Sequence, residues 1–213
     1  MGRMKSVMSV VAVVRRLIRG WIKRYAVWLN DVTGGRLRPD DVTIAGFLLH
    51  FVVAYFIIID DFVPAAILLV IFGLFDTLDG ELARLQGRAS VRGALLDATT
   101  DRLKEVILYS AAAVVLLNSH PLAAAWCVAA CGISLCVSYV KAKGEAALAA
   151  RTEISHHKLN YIFQDGFMAF EVRMTILAAG LLFNLLFLAV VIIALGSLLT
   201  LTKRFRRIAR ELS

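Results

Sequence analysis

The distribution of hydrophobic residues along the chain is that of a membrane protein. Four apolar runs, each long enough to cross a bilayer as a helix, are separated by short polar connections, and a longer fifth run follows them. The runs cover residues 42–59, 62–82, 93–117, 121–140 and about 167–202. The fifth run is too long for one span and divides near Asn184. The pattern therefore predicts an all-α, polytopic membrane protein with about six transmembrane helices.

The segment before the first run has a different pattern. Its apolar residues recur at helical spacing from Val7 to Tyr25, with basic residues such as Arg15 and Arg24 between them. This arrangement is typical of an amphipathic helix that lies in the interface of a membrane with anionic lipids. We therefore predict a single membrane domain made of three parts: a juxtamembrane amphipathic helix (1–38), a six-helix bundle (39–202) and a basic cytoplasmic tail (203–213).

Composition and charge support this interpretation. Of the 213 residues, 60% are hydrophobic and 19% are charged, which argues against a water-soluble enzyme. The 24 Lys and Arg residues and the net charge of +8 would suit nucleic acid, but no recognition motif accompanies them. The predicted far-side connections, at 60–61, 118–121 and near 184, contain neither Lys nor Arg. The positive-inside rule therefore predicts that both termini are cytoplasmic and that the protein is a multi-pass protein of the cell membrane.

Four aspartates interrupt the apolar pattern where the second predicted span ends and the third begins. A carboxylate at the centre of a membrane helix costs about 2.5–3.5 kcal/mol, so these residues need an interfacial position, a partner or a cation. Asp76 and Asp79 share one helix face, and Asp97 and Asp101 lie along one side of the next helix. The short connection makes these helices antiparallel neighbours. We expect the four carboxylates to converge at the cytoplasmic end of the bundle, where two carboxylate pairs suit two Mg²⁺ or Mn²⁺ ions.

The same region resembles the sequence motif of the CDP-alcohol phosphatidyltransferase family. The motif reads Asp76-x-x-Asp79-Gly80-x-x-Ala83-Arg84 and then, after eight residues, Gly93-x-x-x-Asp97-x-x-x-Asp101. A weaker similarity links residues 39–43 to the family's Pro-Asn-x-x-Thr segment, with Asp40 where Asn is usual. Residues 138–143, which include Lys141, are similar to a stretch of the phosphatidylinositol-phosphate synthase branch.

The resemblance implies transfer of a phosphatidyl group from a CDP-linked lipid of the CDP-diacylglycerol type to an alcohol, with release of CMP. It also implies a homodimer and a catalytic pocket open to the cytoplasm and to lipid. Asp76, Asp79 and Asp97 would hold two divalent ions, and Asp101 would be the general base and a further metal contact. The residues that would contact CDP are Asp79, Gly80, Ala83, Arg84, Gly93, Pro39 and Thr43.

The acceptor is predicted from cationic side chains. Ammonium and guanidinium groups bind phosphate, and Lys141, Lys143 and Arg173 are candidates for binding a phosphorylated alcohol. Snorkelling or an intramembrane ion pair is the alternative explanation of these three residues. The segment around Lys141 favours inositol phosphate. Glycerol 3-phosphate stays an alternative, although the chain lacks the Gly-Lys-x-Lys-Thr stretch of many relatives that use it. Serine, phosphatidylglycerol and an archaeal ether-lipid donor also stay open.

A transporter of divalent cations is the competing hypothesis from another class. In a transporter the aspartates would form a permeation site, and further polar residues would continue from it across the membrane. The five residues before Asp76 are Ile71, Phe72, Gly73, Leu74 and Phe75. They offer no polar path, and the sequence therefore favours the enzyme. A second alternative is that the aspartates form only ordinary ion pairs at solvated helix ends.

Overall fold

The computed structural model describes residues 20–117, 121–149 and 167–212, and all regular structure in these ranges is helical. The prediction of an all-α protein is confirmed. We number the helices α1 (20–32), α2 (Pro39–Ile58), α3 (Phe62–Gly73), α4 (Phe75–Leu85), α5 (Val91–Leu117), α6 (Pro121–Ala149), α7 (Phe170–Leu182) and α8 (Leu186–Leu212). The first part of the predicted amphipathic helix, from Val7 to residue 19, lies outside the described residues.

Within the described residues, four helices have the length and composition of membrane spans. They cover Pro39–Ile58, Phe62–Leu85, Leu122–Ala149 and Leu186–Leu212. The second of them joins α3 and α4, which are separated only by a break at Leu74. These helices confirm that the protein is an integral membrane protein.

The other two predicted spans correspond to helices of a different character. Helix α5 has 27 residues, but its middle carries four charged side chains between Asp101 and Glu105. Helix α7 has 13 residues, a length of about 20 Å at 1.5 Å per residue, against about 30 Å for the hydrocarbon core. All six predicted spans are therefore helical, and four of these helices are long and apolar enough to cross a membrane.

The described residues form two compact units. The first unit comprises residues 20–49 and 71–101. In it, Ile22 and Ala26 of α1 pack in one apolar cluster with Val42 of α2 and with Leu78 and Leu82 of α4. Helix α1 also presents an exposed stripe of large side chains: Trp21, Tyr25, Trp28 and Val32. An inner face that packs on α4 and an outer aromatic face suit a helix at a membrane surface.

Of the described residues, the second unit comprises 50–70, 102–117, 121–149 and 167–212. Helix α8 packs against α6 and α7 at close range. A Cβ at Gly180 would lie 2.3 Å from the Cβ of Ala189, so that only glycine fits this crossing. Asn184, with φ of 55°, forms the turn between α7 and α8, where the longest apolar run is predicted to divide. Residues 203–212 of the predicted tail continue α8 as helix.

Candidate metal and nucleotide site

Every aspartate of the sequence motif lies in the first unit. Asp76 and Asp79 belong to α4, which starts where the apolar stretch of α3 ends at Gly73. On α4, Leu78 and Leu82 are buried in the apolar cluster, which fixes the rotation of the helix. The amphipathic sequence of α4 therefore determines which way its two carboxylates are directed.

Three of the four aspartates come together. Asp76, Asp97 and Asp101 each offer one carboxylate oxygen, and these oxygens all lie within 4.8 Å of one another. Oxygen ligands lie about 2.0–2.6 Å from Mg²⁺ or Ca²⁺, so oxygens that share one ion are separated by up to roughly 5 Å. The three side chains are half-buried. Their spacing and chemistry fit a hard divalent cation.

Asp79 has a different environment from the other three aspartates. Its side chain is buried, and its Oδ2 accepts a hydrogen bond of 2.5 Å from the hydroxyl of Thr43. Thr43 belongs to α2 and is equally buried. The sequence predicts that Asp79 binds metal and nucleotide and that Thr43 binds nucleotide. The structure gives the two residues a direct contact with each other.

Arg84 lies along the glycine face of α4. Its Nη2 donates a 2.9 Å hydrogen bond to Glu81, and a Cβ at Gly80 would lie 3.6 Å from the same nitrogen. The Arg84 side chain is 63% exposed, and ion pairs at exposed positions are weak. Arg84 is therefore available to exchange Glu81 for a phosphate group. Ala83, the neighbouring motif residue, is half-buried.

The first turns of α2 and α5 approach each other beside Gly93. The Gly93 amide donates a 3.0 Å hydrogen bond to the hydroxyl of Ser90. A Cβ at Gly93 would lie 3.3 Å from that hydroxyl and 3.6 Å from Oδ1 of Asp40. Pro39 begins α2, and its carbonyl lies 3.2 Å from the Thr43 hydroxyl. The predicted nucleotide residues Pro39, Thr43 and Gly93 therefore belong to the same unit as the aspartates.

The three predicted acceptor residues lie in the second unit. The ammonium group of Lys141 is 3.8 Å from Glu145, and that of Lys143 is 5.9 Å from the centre of the Tyr139 ring. Both lysines are exposed.

Arg173 forms a buried ion pair. It is 1% exposed, and it donates hydrogen bonds of 2.7 and 3.0 Å to Glu105 and one of 2.6 Å to the carbonyl of Met168. This is the ion-pair alternative of the sequence analysis, and the partner is Glu105 of α5.

Two residues with structural roles near these sites do not appear among the sequence predictions. Glu105 is one, and its presence in a largely apolar helix is the signal that it needs a cationic partner. Gln86 is the other. Its amide donates 3.0 Å hydrogen bonds to Asn30 of α1 and to the carbonyl of Leu37, which fastens the end of α4 to α1 and to the segment that follows it. No sequence pattern distinguishes Gln86 from an ordinary surface glutamine.

Comparison with known proteins identifies relatives of similar sequence and fold. Phosphatidylinositol phosphate synthase of Corynebacterium glutamicum is 36% identical over 116 residues, 53% of this chain and 53% of that protein. The chain thus spans about half the length of this curated relative.

Solved structures of the Mycobacterium tuberculosis phosphatidylinositol phosphate synthase share the fold. The structure with CDP-DAG bound has a TM-score of 0.74 at 24% identity and covers 88% of this chain and 92% of that chain. The complex with manganese and citrate has a TM-score of 0.73 at 24% identity and covers 88% of each chain.

A family model supplies the assignment. The model of CDP-alcohol phosphatidyltransferase matches residues 36–202, a range that contains α2 to α7, most of α8 and the whole aspartate motif. Because this match covers well over half of the chain and agrees with the motif, the fold and the three-carboxylate group, the chain belongs to the CDP-alcohol phosphatidyltransferase family.

Proposed function

We propose that this protein transfers a phosphatidyl group from a CDP-linked lipid of the CDP-diacylglycerol type to inositol phosphate and releases CMP. The observation that carries the proposal is the convergence of Asp76, Asp97 and Asp101 in a chain of this family. The C. glutamicum relative, a phosphatidylinositol phosphate synthase, supports inositol phosphate as the acceptor. The solved relative with CDP-DAG bound supports the donor.

In this proposal the four aspartates have two different roles, metal binding and proton transfer. Asp76, Asp79 and Asp97 hold the metal, and Asp101 accepts the proton of the acceptor hydroxyl. Two Mg²⁺ or Mn²⁺ ions would neutralise the pyrophosphate and stabilise the departing CMP. The manganese complex of the solved relative supports the use of a divalent ion. The acceptor oxygen forms a bond to the lipid-linked phosphorus as the bond from that phosphorus to CMP breaks. The proton passes to Asp101 and then to solvent.

The nucleotide would bind along the open faces of α4 and α5. Gly80 and Gly93 have no side chains, so the backbone is accessible to a ligand at both positions. Arg84 would leave Glu81 and bind the pyrophosphate of the CDP-linked lipid, because a doubly charged pyrophosphate is a stronger partner than an exposed carboxylate. Pro39, Thr43, Asp79 and Ala83 complete the proposed contacts.

For the acceptor we propose Lys141 and Lys143, whose ammonium groups are exposed. Arg173 is left out of this pocket, because Glu105 and Met168 already occupy its guanidinium group. We propose that the protein is a homodimer that crosses the cell membrane several times. Its active site and both termini would lie on the cytoplasmic side. The absence of Lys and Arg from the predicted far-side connections supports this orientation.

The test is an acceptor panel with purified protein in lipid nanodiscs. CMP release from CDP-diacylglycerol is measured in the presence of Mg²⁺ and one of four acceptors: inositol 1-phosphate, glycerol 3-phosphate, serine or phosphatidylglycerol. The mass of the lipid product is determined by mass spectrometry. We expect release with inositol 1-phosphate and a product of the corresponding mass. Release only with another acceptor would refute inositol phosphate, and no release with any of them would favour the transporter.

A further inference from the structure

We propose that helix α2 positions the metal site: Thr43 holds Asp79 in place, and Gly46 lets α2 lie close enough to α4 for this contact. The inference rests on the proposed metal-binding function of the aspartates. It gives Thr43 a role in the metal site that is distinct from its predicted contact with the nucleotide.

The Thr43 hydroxyl has one proton and two neighbouring acceptors. It lies 2.5 Å from Oδ2 of Asp79 and 3.2 Å from the carbonyl of Pro39. Hydrogen bonds to a carboxylate are shorter and stronger than those to a neutral carbonyl, so the proton is donated to Asp79. Thr43 and Asp79 are 4% and 6% exposed, and water therefore does not compete for the bond.

This hydrogen bond restricts the orientation of a proposed metal ligand. A carboxylate whose Oδ2 is held by a fixed donor loses most of its freedom to rotate about its terminal bond. Threonine suits the donor role because branching at Cβ limits its own side chain to few rotamers. Partners that orient ligands in this way typically contribute 10–100-fold to metal affinity or activity.

Gly46 explains how α2 comes within hydrogen-bonding distance of α4. It lies on α2 three residues after Thr43, on the same side of the helix, and it is buried. A Cβ at Gly46 would lie 3.0 Å from the Cβ of Phe75 and 3.7 Å from its Cγ. Phe75 directly precedes Asp76 on α4. A methyl group at Gly46 would therefore push α4 away from α2 at the residue that precedes a proposed metal ligand.

Two roles of Thr43 make different predictions for metal binding without nucleotide. If Thr43 orients Asp79, loss of its hydroxyl weakens metal binding even when no nucleotide is present. If Thr43 contacts only CDP, metal binding without nucleotide is unchanged and only nucleotide binding is weakened. Direct measurement of Mn²⁺ binding therefore separates the two roles.

The experiment uses the full chain in nanodiscs and follows Mn²⁺ binding by the electron paramagnetic resonance signal of the free ion. We expect Thr43→Val to weaken Mn²⁺ binding roughly 10–100-fold and Thr43→Ser to recover most of that affinity. Gly46→Ala should weaken binding in the same direction. Gly73→Ala is the matched control, because Gly73 belongs to the same membrane span as Phe75 and has open space around its Cα. Its Mn²⁺ affinity should equal that of the wild type.

Wild-type Mn²⁺ affinity in Thr43→Val, with weaker binding of CMP, would overturn the inference. If Thr43→Val does not fold, as judged by its thermal unfolding, the comparison of Gly46→Ala with Gly73→Ala decides, and equal affinities would overturn the inference. A wild-type protein that binds Mn²⁺ but releases no CMP would refute the proposed function and leave these comparisons interpretable.

Discussion

Asp101 is the residue on which the proposed chemistry depends most directly. It lies with Asp76 and Asp97, where it can both contact a metal and receive a proton. For Asp101→Asn, which keeps the shape but removes the base, we expect a loss of turnover of about 10²-fold or more, with CMP binding largely retained. CMP release and CMP affinity, measured on the same preparation, check this. Substantial residual turnover would exclude Asp101 as the base.

The pair of Glu105 and Arg173 is a stabilising feature and not a reactive one. Both side chains are fully buried, and loss of the Glu105 charge removes the carboxylate that accepts two hydrogen bonds from Arg173. Glu105→Gln should lower the free energy of unfolding by about 3–5 kcal/mol. The measurement is denaturant unfolding in detergent micelles. As a control, Arg38→Gln removes an ion pair whose arginine side chain is 71% exposed, and it should cost at most about 1 kcal/mol. Equal effects of the two substitutions would contradict this prediction.

At the residue scale, the sequence is sufficient where spacing along one helix determines position. Asp97 and Asp101 are four residues apart and necessarily share one side of α5, and their closeness in the structure follows. The partner of Arg173 is a different problem. Glu171 is its neighbour in sequence, but Glu105, on another helix, is its partner in space. Such a pairing depends on how α5 and α7 pack, and the packing of two helices cannot be predicted from the residues next to Arg173 in the sequence.

Among the elements, α4 is fastened to α1, the helix that we predict to lie at the membrane surface. Gln86, directly after α4, connects it to Asn30 and Leu37 by two hydrogen bonds of 3.0 Å. We expect Gln86→Ala to lower the free energy of unfolding by about 1–3 kcal/mol, because the Leu37 carbonyl loses its donor. Amide hydrogen exchange between residues 20 and 37 should be faster in this variant.

A neighbouring residue provides the control for Gln86. Arg88 contacts the carbonyl of Gly35 at 3.5 Å, the outer limit of a hydrogen bond, and its side chain is exposed. Arg88→Ala should leave exchange in residues 20–37 near the wild-type rate. Exchange at the wild-type rate in Gln86→Ala would show that Gln86 does not hold α1 to α4.

The limits of two elements differ from those that the apolar pattern predicts. The second predicted span runs without interruption to residue 82, whereas the structure ends α3 at Gly73 and begins α4 at Phe75. At this break Phe72 and Phe75 form an edge-to-face pair, and Phe75 packs at Gly46. Aromatic contacts of this kind depend on tertiary packing, and hydropathy therefore does not reveal them.

For the whole molecule, the distribution of Lys and Arg predicts the orientation in the membrane, with both termini in the cytoplasm. Single cysteines at Asp61 and Arg210, in a chain with Cys127, Cys131 and Cys136 replaced by serine, would report it. We expect a membrane-impermeant maleimide to label Asp61→Cys in intact cells and to label Arg210→Cys only after permeabilisation. The reverse pattern would refute the cytoplasmic location of the termini.

The fold class of the whole molecule is the level at which the sequence is most informative. Long apolar runs require helices, because a backbone in lipid must satisfy its own hydrogen bonds. The number of full spans is less determined. Helix α5 carries too many charged side chains to be recognised as a membrane span from its composition. Two of these side chains, Lys104 and Glu105, are nevertheless fully buried. Hydropathy averages over a segment, whereas burial depends on the partners of each side chain.

The gathering of Asp76, Asp97 and Asp101 has a consequence beyond the reaction. Three carboxylates within 4.8 Å repel one another when all are ionised, and a bound cation relieves that repulsion only in the folded state. Binding that is specific to the folded state adds to stability in proportion to the logarithm of ligand concentration. The ions proposed for turnover would thus also stabilise the packing of α4 with α5, and the concentration of free magnesium in the cell would affect the stability of this part of the protein.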